Sequence, residues 1–196
     1  MKKVIGLTGG IATGKSAVTS FLRSQGFVVI DADEVVHELQ QVGGQLYELI
    51  LEEYGSEYFD KNGQLNRKKL ANLIFSNPEI NQKLGKLQNK IIRDELWRRR
   101  EHVASQQDVF FMDIPLLIEE NYEDFFDEIW LVKTTNTLQT ERLMKRNSLT
   151  KNEAMARINS QMPIEEKVKY ANVVLENSGT LEELQAQILQ QIEKLK

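Results

Sequence analysis

The chain has 196 residues, of which 41% are hydrophobic and 28% charged, and a formal net charge of −4. That is enough length for one or two domains with a packed core. Having no cysteine, it can form no disulfide, thiolate metal site or cysteine nucleophile, which suits a reducing compartment. Two histidines set far apart, His37 and His102, exclude a histidine-rich metal cluster. The acidic balance argues against general nucleic-acid binding, and apolar runs such as Val109–Met112 and Ile129–Val132 fall far short of the ~20 residues of a membrane span. Met1–Lys3 leads into an apolar run broken at Gly9-Gly10, so no secretory leader is expected, and a soluble intracellular protein is.

Val4–Thr8 reads as a buried strand closed by Gly9-Gly10. A helix is expected from about Lys15, with Val18, Phe21 and Leu22 on one face and Gly26 ending it. Phe27–Ile30 reads as a second strand stopped by Asp31-Ala32-Asp33, and Val109–Met112, Ile129–Val132 and Val173–Leu175 as three more. Thr180-x-x-Glu183 has the pattern of a capping box opening a last helix, whose apolar face would be Leu181, Leu184, Ile188, Ile192 and Leu195. Strands separated by helices, with no tight hairpin between the first two, predict an α/β fold: a parallel sheet with helices on both faces.

Two stretches interrupt this alternation. Residues 36–106 are helix-rich, with helical spacing at Leu46, Leu49, Ile50 and Tyr54 and again at Ile80, Leu84, Leu87 and Ile91. Residues 137–170 form a second helical insertion, with Thr150-x-x-Glu153 capping one helix and Pro163 opening another. The expected organisation is a core of 1–35, 107–136 and 171–196 carrying these two excursions. From Lys133 to Lys169 there are eight Lys/Arg against four Glu, a local +4 that leaves −8 elsewhere. Such a segment either gathers phosphates or is a solvated helical face.

Gly9-Gly10-Ile11-Ala12-Thr13-Gly14-Lys15-Ser16 matches G-x-x-x-x-G-K-[ST] in full, between an apolar strand and a helix. Glycines let the backbone curl so that successive N–H groups point inward at oxygens, and the following helix adds the positive end of its dipole. The expected phosphate-binding residues are Gly10, Ile11, Ala12, Thr13, Gly14, Lys15, Ser16 and Ala17. Lys15 is assigned to the β- and γ-phosphates of a nucleoside triphosphate, and the Ser16 hydroxyl to Mg²⁺.

Asp31-Ala32-Asp33 lies at the end of the second strand, where ligands bind in parallel sheets. A phosphoryl-transfer enzyme needs a carboxylate there to orient or deprotonate the attacking hydroxyl, and Asp33 is the candidate, the alternative being a strand-end cap. Asp113, closing the strand Val109–Met112, is either a metal-supporting aspartate or an ordinary strand end. Arg142 and Arg146, four apart on one helix face, suit the charge of a transferring phosphoryl group; their alternative is salt bridging to Glu141 or Glu153. Arg98-Arg99-Arg100 has no aromatic ladder beside it and reads as a solvated face.

The phosphate loop also serves GTPase switches and nucleotide-gated binding modules. The nearest approach to an Asn-Lys-x-Asp guanine element, Asn89-Lys90-Ile91-Ile92, lacks the aspartate, and Asp60-Lys61-Asn62-Gly63 reads as a turn. Two helical excursions, one after Asp33 and one basic and late, favour a small-molecule kinase whose lid excludes water. A nucleoside or nucleotide kinase of this fold remains an alternative.

Leu7-Thr8-Gly9-Gly10-Ile11, Gly14-Lys15-Ser16 and Ile30-Asp31-Ala32-Asp33 resemble the dephospho-CoA kinase family. So do Asn62-Gly63-x-Leu65-x-Arg67, Pro115-Leu116-Leu117-x-Glu119 and Gln139-x-x-Arg142-x-x-x-Arg146. Arg157-Ile158-x-x-Gln161-Met162-Pro163-x-x-x-Lys167 and Asn177-Ser178-Gly179 extend the resemblance almost end to end. It implies a P-loop core with a helical acceptor domain at 36–106 and a lid at 137–170. The implied reaction is ATP-dependent phosphorylation of the ribose 3′-hydroxyl of dephospho-CoA, the last step of coenzyme A synthesis. Asp33 would be the base, Lys15 and Arg142 the other catalytic residues, and Arg146 a further nucleotide contact. ATP and Mg²⁺ are the implied cofactors. Dephospho-CoA is the implied small-molecule partner, with no nucleic acid and no membrane, for a cytoplasmic monomer or weak homo-oligomer. The chain departs from the family pattern at Ala12-Thr13, where Gly-Ser is usual, at Val42-Gly43-Gly44-Gln45 for Pro-Gly-x-Pro, at Asn89-Lys90 for His-Pro and at Ala171-Asn172 for Ala-Asp.

Overall fold

The five apolar runs become five parallel strands, ordered β2-β3-β1-β4-β5 in one sheet. The computed structural model describes residues 2–195, apart from the side chains at 67, 71, 74–76, 78 and 81. In chain order the elements begin β1 (Lys3–Gly9), α1 (Lys15–Ser24), β2 (Val29–Asp31) and α2 (Ala32–Leu39). There follow α3 (Gln45–Tyr54), α4 (Arg67–Ser76) and α5 (Pro78–Ala104), then β3 (Val109–Asp113) and β4 (Glu128–Lys133). The chain closes with α6 (Asn136–Asn147), α7 (Lys151–Asn159), α8 (Ile164–Val168), β5 (Val173–Glu176) and α9 (Leu181–Glu193). It divides into two compact units, Met1–Asp31 with Arg100–Lys196, and Ala32–Arg99.

In the first unit β1 is the central strand, paired with β3 on one side and β4 on the other. Its Ile5 and Leu7 face a core shared with Phe111, Trp130, Val18 and Leu22 of α1 and Leu184, Ile188 and Ile192 of α9. Burying each such side chain contributes about 1.5–3 kcal/mol. Gly6 points to the opposite face, where a Cβ would stand 2.6 Å from Leu117 Cδ1 and 2.8 Å from Phe126 Cδ2. The missing side chain lets the segment after β3 lie directly on the sheet. Both capping boxes form, at Thr150–Glu153 and Thr180–Glu183. Pro163 stands at the N-cap of α8, just before its first residue.

Two expectations are corrected. Leu181 is not on the buried face of α9: it is 52% exposed, because the first residue of the helix lies beyond the sheet-facing stripe of Leu184, Ile188 and Ile192. The second strand spans Val29–Asp31 and not Phe27–Ile30, and α2 starts at Ala32, so Asp33, just past the strand, sits in the first turn of a helix with Glu34 beside it; acidic residues there complement the helix dipole.

The second unit is helical, with a core of Ile50, Leu70 and Leu84 against which Leu49, Tyr54, Tyr58, Phe59, Leu65 and Leu73 pack. The Asp60–Gly63 segment is a turn: Asp60 Oδ1 accepts from the amides of Asn62 at 2.8 Å and Gln64 at 2.9 Å, and Phe59 and Leu65 bridge across it. Among the described residues no helix is long and apolar enough to cross a membrane.

Candidate active site

Because β1 is central, its carboxyl end opens between β3 and β4, the crevice where parallel sheets hold ligands. The chain leaves β1 at Gly9, turns through residues 10–14 and enters α1 at Lys15. Two left-handed residues make that turn, Ala12 with φ 59° and Gly14 with φ 99°. Only glycine suits the second: a Cβ on Gly14 would overlap the Asn177 side-chain amide.

The loop's outward-facing groups are tied down from several elements. Thr13, itself buried, donates its N–H at 3.2 Å and its Oγ1 at 2.9 Å to the Gly10 carbonyl. Asn177 Nδ2 donates to the Thr13 carbonyl at 2.8 Å. Asn177 follows directly on β5 and is itself fixed to the end of β4: its N–H donates to Lys133 O at 2.8 Å, and its carbonyl accepts from Thr134 Oγ1 at 2.9 Å. The Ile11 peptide is gripped at both ends. Its N–H donates to Gln161 Oε1 at 2.8 Å, and its carbonyl accepts from Gln139 Nε2 at 2.8 Å. The Ala17 N–H donates to the Gly14 carbonyl at 3.0 Å, which leaves the N–H groups of Lys15 and Ser16, with no carbonyl of their own helix to bond, at the start of α1.

The Lys15 ammonium contacts Asp113 Oδ1, and Thr19 Oγ1 donates to Asp113 Oδ2 at 2.6 Å. Asp113 is 2% exposed and stands in register with Leu7 of β1 and Asp31 of β2. Ser16 is exposed on the first turn of α1. Arg142 of α6 brings Nη1 to 3.5 Å from the Thr13 carbonyl, whereas Arg146, exposed, bonds Asn147 Oδ1 at 3.0 Å. So the structure brings Lys15, Arg142 and Asp113 to the loop and turns the Arg146 guanidinium to its own neighbour. Asp33 is exposed on α2, in the second unit. A cavity of about 440 Å³ opens beside the loop, lined by Gly10, Gln139, Met155, Ile158, Gln161 and Met162 among others.

The family model for dephospho-CoA kinase matches residues 3–183. The chain belongs to the dephospho-CoA kinase family. A dephospho-CoA kinase of Streptococcus pneumoniae is 51% identical over 188 residues, 96% of this chain and 94% of that protein. One from Streptococcus mutans is 48% identical over 195 residues, covering 100% of this chain and 98% of the relative. The solved structure of a dephospho-CoA kinase from Campylobacter jejuni superposes with a TM-score of 0.77 at 27% identity, over 100% of this chain and 98% of that one. The α/β P-loop architecture and the kinase class expected from the sequence thus agree with the family.

Within this member of the dephospho-CoA kinase family, the sequence motifs contain residues whose work only the structure reveals. Gln139, Gln161 and Asn177 carry no charge and belong to no catalytic pattern, yet each bonds a loop peptide. The available signal was the three-residue spacing of Gln139 and Arg142, which puts both on one helical face. Asp113 is the partner of the loop lysine, a role its strand-end position alone does not distinguish.

Proposed function

We propose that the chain transfers the γ-phosphoryl group of ATP to the ribose 3′-hydroxyl of dephospho-CoA, in the cytoplasm, as a monomer or weak homo-oligomer. The observation that carries this reading is the complete phosphate loop, braced by Asn177 and the two glutamines, in a chain that belongs to the dephospho-CoA kinase family.

In this reading the loop and helix-start amides not already bonded within the protein, together with Lys15, bind the triphosphate, with Lys15 exchanging its Asp113 contact for the terminal phosphates. Asp33 accepts the proton of the acceptor hydroxyl as its oxygen forms the new bond to phosphorus. The bond from the γ-phosphorus to the β-bridging oxygen breaks, and ADP carries the electron pair away. Arg142 faces the charge on the transferring group. The helical region 36–106 holds the acceptor, and 137–170 closes over ATP.

Mg²⁺ fits the donor set. Among the described residues no three carboxylates or histidines cluster to hold a metal by themselves, while the exposed Ser16 hydroxyl offers a single oxygen. That is the mode in which Mg²⁺ takes one or two protein oxygens and completes its shell with phosphates and water. When bound, it would neutralise charge on the β- and γ-phosphates.

The test monitors ADP release with dephospho-CoA against a panel of nucleosides and nucleotides. Turnover with dephospho-CoA alone supports the proposal; turnover with a nucleoside or nucleotide instead makes the chain a kinase of that acceptor, and slow hydrolysis indifferent to all of them makes it a nucleotide-gated module. Asp33→Asn should cut turnover and leave ATP binding in place; near-normal turnover removes Asp33 as the base.

A further inference from the structure

Lys167 of α8 is fully buried, and its Nζ lies 2.7 Å from Glu119 Oε1 in the segment after β3. Among the described residues neither has a hydrogen bond or ion pair with the phosphate loop. The same Glu119 oxygen accepts the Met162 N–H at 3.3 Å. Met162 adjoins Gln161, whose side chain holds the Ile11 amide at 2.8 Å. A continuous line of bonded groups therefore runs from the buried pair through the 161–162 backbone to the outer rim of the loop.

Stability does not explain the pair. Withdrawing two ions from water costs several kcal/mol each, and apolar residues of similar volume commonly serve a fold as well or better. Here, among the described residues, Glu119 Oε2 has no hydrogen-bond partner and Lys167 Nζ has none beyond the ion pair with Oε1, so the pair's bonding is far from saturated. What it supplies, and a Leu–Met pair would not, is an oriented acceptor for the Met162 N–H. The cation fixes the carboxylate, and the carboxylate fixes the backbone that aims Gln161.

We propose that Lys167 and Glu119 are positioning residues for nucleotide binding, acting through the Met162 amide and Gln161 to hold the Ile11 peptide of the loop. The inference rests on the reading of that loop as the ATP site. Loops that align phosphoryl groups are sensitive to displacement, because a misplacement near 1 Å costs on the order of 10²-fold in rate.

The test compares wild type, the double variant Glu119→Leu/Lys167→Met and Gln161→Ala by thermal melting, by ATP binding without acceptor, and by steady-state kinetics. The double variant should melt close to wild type, since the charges leave together. Its ATP affinity should fall on the order of tenfold, the value of one lost hydrogen bond to the loop, with KM for dephospho-CoA unchanged. Gln161→Ala should weaken ATP binding equally, and combining it with the double variant should add nothing further. A folded double variant with wild-type ATP affinity overturns the proposal. If the double variant fails to fold, wild-type ATP affinity in Gln161→Ala overturns it alone. ATP binding by wild type without transfer to dephospho-CoA would instead refute the acceptor assignment and leave this inference standing.

Discussion

The Lys15 ammonium rests against the Asp113 carboxylate, so the first residue of α1 and the last of β3 are joined beneath the phosphate loop. Asp113 is almost fully buried, with Thr19 as its other partner. Lys15 thus has a structural task besides its proposed catalytic one. Lys15→Ala is expected to lower turnover 10²–10³-fold or more. It should also destabilise the nucleotide-free protein by about 1–3 kcal/mol, because a buried carboxylate loses its countercharge. Denaturant unfolding without ATP measures the second effect, and an unchanged midpoint would show that the pair contributes nothing to the fold.

Gly14 has little freedom to change. Gly14→Ala forces an L side chain into φ 99° and against the Asn177 amide, so the Thr13 carbonyl loses its brace. ATP affinity should fall at least tenfold and stability by about 1–3 kcal/mol. At Ala12, with φ 59°, the reverse change relieves strain. Ala12→Gly should retain activity and gain up to about 1 kcal/mol, the left-handed penalty less the extra entropy of the unfolded chain. Calorimetric titration with ATP and thermal melting check both.

Arg142 and Arg146 should separate in kinetics. Arg142 lies over the Thr13 carbonyl, while Arg146 bonds Asn147. Arg142→Ala is expected to reduce kcat on the order of 10²-fold, with stability changed by no more than about 0.5 kcal/mol. Arg146→Ala should have the smaller effect. Unchanged kinetics for both ATP and acceptor in Arg142→Ala would exclude it from the site.

The second unit carries an acid-sensitive cluster. Hydrogen bonds from Arg98 and Arg99 hold the Glu95 carboxyl down to about 2, from an ordinary 4.5, against the opposing effect of burial. Arg99 also pairs with Glu38, whose carboxyl is lowered chiefly by that bond. A carboxyl depressed in the folded state binds fewer protons there than when unfolded. Its stabilisation is therefore complete above pH 4.5 and is lost as pH falls from there towards 2. Glu95→Gln should flatten the stability profile within that window and lower the plateau above it; unfolding midpoints against pH measure both.

Residues acting locally were legible before the structure, and residues acting at a distance were not. Each strand has its own apolar run, and the loop's glycines, Lys15 and Ser16 lie within eight consecutive positions, so spacing alone disclosed them. Residues 161 and 177 fix loop peptides through neutral amides from 150 and 164 positions away, which no local pattern encodes. The second strand starts at Val29, two residues into its apolar run, because an apolar run does not mark where the hydrogen-bonded ladder begins. Leu181 fits the helical period yet faces solvent, since period specifies a face and not how far the sheet extends beneath it.

Dependence of Gly14 and Thr13 on Asn177 sets an order of events during synthesis. A nascent chain that has emerged only through β4 already displays the complete phosphate-binding motif but not the Asn177 amide that seals its turn. Parallel strands joined by long crossovers close late in any case. Full bracing of the phosphate loop thus waits for Asn177, 164 positions after the carbonyl it holds.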